Sequence, residues 1–397
     1  MAAVDPSEVA LLRLAAQRLA GPGEPDAAAA VRWLLAAQAQ DLRGALLSTA
    51  LRVSAAPGAT AGGATGEEPG GPAGVRPAPD LSGVRAALDA GSVVRSWPVR
   101  STLHLVAAED LGWLLALSTE RQLRSAASHR AGLGIDDALV ERAREVVVGA
   151  LTGGRGLGRD DVVALWEEAG LLGAGAGRVP QRGYHLLWTL SQTGTTCWGP
   201  LLEGRPGGGG GDEQALVLLD EWVPAPRRLA REESLGELAH RYLASHGPAS
   251  LADLVRWSGL TVREARAGLA LARPRLEALE CGGTEMLMDP ATPERLAGWR
   301  DDARRTLLLP GFDEMVLGYA DRSATVPAEH ATRVVPGGNG VFLGTVVTDG
   351  RAVATWRRTG RRTGPPVVAT AFAPGEGSGL APAVEADVAR LAAALPA

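Results

Sequence analysis

The sequence predicts an α+β chain: about three tandem helix–helix–helix–strand–strand modules followed by a small β-sheet domain. Three observations carry this prediction. One element order recurs at irregular spacing, Gly/Pro-rich joints separate the copies, and the last hundred residues change from helical to alternating periodicity. With 397 residues, 46% of them hydrophobic, the chain can fill several cores.

The first copy is the loosest, with helices near 6–20, 26–38 and 41–50 and strands near 92–96 and 101–106. Residues 55–80 interrupt it with AAPGATAGGATGEEPGGPAGVRPAPD, small residues, Gly and Pro without period, which reads as a disordered surface loop. The second copy has helices in GRDDVVALWEEAGLL and VPQRGYHLLWTLSQTG, then strands in TTCWGP and ALVLLDEW around the glycine run at 204–212, a turn or hairpin tip. The third is clearest. A helix ends at His246-Gly247-Pro248, Ser250 caps a second helix carrying Leu251, Leu254, Val255 and Trp257, and Thr261 caps a third. Short strands near 275–280 and 285–288 come next. This is the winged-helix order, and it places domains at 1–128, 129–229 and 230–298.

Residues 299–397 form the fourth domain, a small β-sheet or partial barrel. Asp349-Gly350 reads as a tight turn and VPGGNG at 335–340 as a hairpin turn between β-branched runs. The segment VEADVARLAAALPA closes the domain as a helix.

Composition narrows the chemistry. Only Cys197 and Cys281 are present and no CxxC occurs, which argues against a disulfide framework or a thiolate metal site. The closest histidines, His240 and His246, are six residues apart and fall on different faces of a helix, so neither a metal nor another cofactor is expected. All 40 basic residues are arginine. A single Asn (Asn339), a single Ile (Ile135) and 52 glycines point to a G- and C-rich codon pool as the cause. Whatever the cause, no lysine side chain can form a Schiff base or serve a phosphate loop. The net charge of -5 disfavours a globally basic nucleic-acid binder but leaves local arginine clusters open. No run of about eighteen apolar residues occurs, and the amphipathic N-terminus does not resemble a leader, so a cytoplasmic protein is expected.

In LLAAQAQDLRGAL, residues 34–46, Gln38 and Gln40 interrupt an apolar stretch. On a regular helix, side chains two apart point about 200° away from each other, so both can face one site only where the helix ends. Asp41 is a good N-cap for the next helix, which places a break between Gln38 and Asp41. Spacing alone favours the plainer alternative, one glutamine in solvent and the other bonded to backbone. Arg95 and Arg100, which flank SWPV, read equally as phosphate contacts or as structural ion pairs. His104, alternating with Leu103 and Leu105, reads as a core histidine, and Trp97, Trp113, Trp166, Trp188 and Trp257 as packing.

Five strings occur in order: WLLAAQAQDLRGALLSTALR, VVRSWPVRSTLHLVAAEDLGWL, HGPASLADLVRWSGL, LLPGFDEMVLGYADRS and NGVFLGTVVTDGRAVATWRR. Together they resemble the AlkZ/YcaQ family of bacterial DNA glycosylases from about residue 8 to 358. The resemblance implies a C-shaped array of winged helices acting as a monomer on double-stranded DNA, with no membrane contact. It places the family's catalytic Gln-x-Gln element on Gln38, Ala39 and Gln40, with Gln at the second position as in the AlkZ branch. That branch is associated with N7-alkylated purines and bulky or crosslinking antibiotic adducts. It also implies DNA contacts for Arg322 and the segment after it, and includes Asp313 and Glu314, for which a turn or interface role is expected rather than metal binding.

The chemistry of the side chains fits. Glutamine is no acid or base near neutrality. An N7-alkylguanine, already cationic, leaves without protonation, so a site need only orient water and favour the developing sugar charge through amide oxygens. Without lysine a lysine-based lyase step is excluded, and a monofunctional glycosylase is expected, in DNA repair or antibiotic self-resistance. The competing readings are a winged-helix transcriptional regulator and a lesion binder without turnover. The helix VREARAGLALAR offers arginines but no Asn or Gln to read bases, which weakens the regulator.

Overall fold

A computed structural model of the chain describes residues 2–54, 78–173, 179–202, 213–360, 365–372 and 379–396. Nearly all of the 55–80 insert and of the glycine run at 204–212 lies outside the described residues. The chain forms two compact units, Met1–Val84 with Gly236–Ala397, and Arg85–Leu235.

In the first unit, helix Pro6–Ala16 starts where the Asp5 carboxylate accepts the N–H groups of Ser7 and Glu8 at 2.8 and 3.0 Å. All of Val9–Ala16 is buried, because the helix packs on Thr292–Gly298 and Arg300–Arg304 and joins a core that includes Leu279, Met288, Leu309 and Met315. Helix Arg231–His246 leads to Leu251–Ser258 and Val262–Ala272, then to strands Glu277–Cys281 and Thr284–Met288. Two capping boxes set these starts, Ser250 with Asp253 and Thr261 with Glu264, and Gly259 ends the helix between them in the left-handed region at φ 67°. An isolated bridge ties Ala249 to Leu287, and strand Ala2–Ala3 adds to Glu277–Cys281 in parallel.

The C-terminal sheet has the strand order Val367–Ala371, Arg351–Arg358, Gly344–Thr348, Leu307–Leu309, all antiparallel. Asp349 and Gly350 have φ of 48° and 74°, as a two-residue hairpin turn with the sheet's own twist requires. The expected hairpin at VPGGNG is not formed: Ala331–Val334 is helical, Pro336–Gly338 is a 3-10 turn, and 341–343 carry no strand. Val334, 1% exposed, anchors the core instead, with Val335 packed against it.

In the second unit four strands are hydrogen-bonded in the order Thr102–Ala107, Val93–Val99, Thr196–Leu201, Gln214–Leu218. Helices Asp137–Leu151, Arg159–Glu168 and Val179–Gln192 precede the last two strands, and Leu157 bridges Leu216. Trp166 is fully buried among them and donates its indole N–H to the Ala143 carbonyl at 3.0 Å. Trp97, Trp113, Trp188 and, in the first unit, Trp257 are buried too, as packing residues. The expected domain boundary at 128/129 falls inside an unbroken 22-residue helix, Leu111–Gly132. Among the described residues no helix is long and apolar enough to cross a membrane.

Candidate active site

The Gln-Ala-Gln element sits in an extended link between two helices of the first unit. Asp26 caps helix Ala27–Leu34 by accepting the Ala29 N–H at 2.8 Å. The helix stops four residues earlier than its apolar pattern predicts, because Leu35 takes φ 69°. Ala37–Gln38 is a two-residue strand, and helix Leu42–Ala50 begins after Asp41, which holds the N-cap position without a side-chain cap bond. In extended backbone, residues two apart project to the same side, which a helix would forbid. The Gln38 amide N–H₂ accordingly donates to Gln40 Oε1 at 2.7 Å. Gln38 is 5% exposed, Ala39 is fully buried and Gln40 is exposed. Among the described residues, Gln38 Oε1 is a buried acceptor with no hydrogen-bond partner.

Two acids from 307–317 hold this link. Helix Glu314–Leu317 is capped by Asp313, which accepts the Met315 N–H at 2.9 Å. The buried Asp313 carboxylate also takes both Arg52 guanidinium nitrogens, each at 2.9 Å, and Ser48 Oγ at 2.7 Å. Buried charges persist when paired and fully hydrogen-bonded in this way. Glu314 is fully buried as well: Oε1 accepts the Gln38 backbone N–H at 3.1 Å and Oε2 accepts the Trp257 indole N–H at 3.0 Å, with His246 Nε2 at 3.4 Å. Gln17 extends the network, accepting from Arg52 at 2.6 Å and donating to the Tyr319 hydroxyl at 2.8 Å. Burial pushes the Tyr319 and Tyr242 hydroxyls well above the ordinary phenol range, so both stay protonated.

The other predicted residues are placed individually. Arg322, in the first unit, donates Nε–H to the Val316 carbonyl at 2.9 Å and lies 5.0 Å from the Phe342 ring centre. Arg95 and Arg100 belong to the second unit. Arg95 donates to Gln214 Oε1 at 3.2 Å, and Arg100 turns the chain at φ 50° before strand Thr102–Ala107. His104 is buried there, with Nδ1 2.8 Å from the Thr102 carbonyl. Asp313 and Glu314 take protein donors, as the turn-or-interface reading expects. Among the described residues no group of three or more His, Cys, Asp and Glu could hold a metal. Sequence reading missed Arg52, His246 and Trp257 as partners of the acids, since their separations of 261, 68 and 57 residues leave no local signal.

The chain matches the family model described as DNA glycosylase AlkZ-like over residues 76–394, so Gln38 and Gln40 precede the matched segment. It is 24% identical over 287 residues to the Interstrand DNA cross-link repair glycosylase of Streptomyces sahachiroi, covering 70% of this chain and 74% of that one. The solved structure of Streptomyces sahachiroi DNA glycosylase AlkZ has the same fold, with a TM-score of 0.74 and 24% identity over 100% of this chain and 99% of that one.

Proposed function

This chain belongs to the DNA glycosylase AlkZ-like family, and on that premise we propose that it hydrolyses the N-glycosidic bond of N7-alkylated purines in double-stranded DNA through Gln38 and Gln40. The observation that carries this reading is the Gln38 carbonyl oxygen, buried without a partner while the amide nitrogen is spent on Gln40. A buried acceptor left unpaired costs about 1–3 kcal/mol, and such groups persist where function uses them. With Gln40 exposed beside it, the amide pair favours positive charge on a sugar and aligns a water through its amide oxygens, and neither group supplies a proton. The substrate must therefore carry its own positive charge. In an N7-alkylguanine, C1′–N9 cleavage gives the neutral alkylated base and an oxocarbenium sugar; water adds to C1′ and its proton passes to solvent.

The reading extends to a monofunctional enzyme, since the sequence has no lysine to form an imine. It includes bulky and crosslinking adducts, in keeping with the named activity of the Streptomyces sahachiroi relative, and so a role in repair or antibiotic self-resistance. The helix-and-strand orders support three winged-helix modules, two of which carry the extra bridge, Leu157 to Leu216 and Ala249 to Leu287. Release of N7-methylguanine from duplex DNA, with strand breaks only after alkali, tests this reading. Breaks without alkali would contradict it.

A further inference from the structure

The two segments that build the glutamine site run on into a cleft of about 380 Å³ in the first unit. Asp41, the neighbour of Gln40 and so about 3.8 Å from it between Cα atoms, opens one side of the lining. Phe312, immediately before the Asp313–Glu314 pair, belongs to the other.

Three features of this cleft are unexplained by packing. Arg43, Arg357 and Arg358 line it, and none of their guanidinium groups has an ion-pair or hydrogen-bond partner among the described residues. Burial, and then the charge of Arg43, lower the Arg358 pKa, so these two of the three like charges feel each other. Val341 and Leu343 stand 46% and 37% exposed in the same lining, beside a Phe312–Phe342 ring pair 6.1 Å apart. Phe312 itself has φ 61°, a left-handed conformation that strains a bulky side chain by roughly 1–2 kcal/mol. Strain of this kind gathers at ligand-binding sites.

We infer that this cleft receives the apolar, ring-bearing substituent of a bulky N7 adduct whose base lies at the glutamines, with the three arginines meeting the phosphates beside it. The inference rests on the N7-adduct reading above. Size supports it: about 380 Å³ holds roughly a dozen waters at ~30 Å³ each, far more than an N7-methyl group displaces. Charge supports it too, because an apolar floor rimmed by unpaired guanidinium groups suits a hydrophobic group carried on a polyanion.

The test uses duplexes with one N7-methylguanine or one N7-benzylguanine, the full chain, and the variants Val341→Trp and Leu343→Trp, whose exposed side chains let indole fill the cleft without entering the core. The benzyl-to-methyl ratio of single-turnover release should fall about tenfold in both variants, and the corresponding ratio of affinities should fall with it. The double variant Arg43→Ala/Arg357→Ala should weaken binding of both duplexes alike and shallow the salt dependence by about two phosphate contacts. Release and affinity ratios unmoved by both tryptophans would overturn the inference. If wild type releases neither base, the N7 reading fails, and the affinity ratio still decides the cleft. A benzyl preference erased by tryptophan supports it, and equal binding of both duplexes refutes it.

Discussion

The backbone N–H of Gln38 donates to the buried carboxylate of Glu314 at 3.1 Å, across 276 residues of sequence. The same carboxylate accepts the Trp257 indole N–H at 3.0 Å, so one acid fixes the glutamine link to a helix of the third expected winged helix. Glu314→Ala leaves two buried donors without an acceptor, at about 1–3 kcal/mol each. We predict a loss of roughly 2–5 kcal/mol in urea unfolding, and a fall in single-turnover base release that exceeds any change in DNA affinity. Glu314→Gln keeps a carbonyl acceptor and should recover much of the release rate. Equal rates in the Ala variant and wild type would show that Glu314 does not position Gln38.

The Arg52–Asp313 pair should behave as a buried ion pair. Both side chains are 0% exposed. Removing one partner strands a charge in the core, so Arg52→Ala and Asp313→Ala should each destabilise by about 3–5 kcal/mol. The double variant Arg52→Ala/Asp313→Ala should lose less than the sum of the two. Additive losses in a double-mutant cycle would contradict a direct pairing.

Sequence alone went far where the signal is local. The N-caps at Ser250 and Thr261, the Asp349-Gly350 turn and the burial of the five tryptophans follow from residue type and spacing within a few positions. It stopped short where tertiary contact decides. The helix pattern runs through Leu35 to Gln38, and nothing in leucine announces a positive φ. The β-branched Val334 and Val335 read as strand, yet packing into the core makes Ala331–Val334 a helix. Gln38 and Gln40 could be singled out from the family resemblance and from the chemistry of amides. The acids that hold them could not be linked to the site, because their partners lie on distant elements.

Acid should weaken the second unit through His185. Burial first, then the nearby His129 and Arg130, lower its pKa from the ordinary 6.5 to about 4. Between those values the unfolded chain binds a proton that the folded chain excludes, so stability falls as pH drops through the window and is unaffected above it. After solvent screening the loss is about 1–2 kcal/mol. In urea unfolding followed from pH 7 to 4, His185→Gln should flatten this part of the profile. An unchanged slope would mean that His185 is not the titrating group.

If the paired amides perform the chemistry, each must be needed for base release and neither for DNA binding. Single-turnover release of N7-methylguanine from duplex DNA by wild type, Gln38→Ala and Gln40→Ala, with DNA affinity measured alongside, separates the two. Release should fall by about a hundredfold or more in both variants while affinity changes by less than about threefold. Release at the wild-type rate in either variant would remove that glutamine from the mechanism.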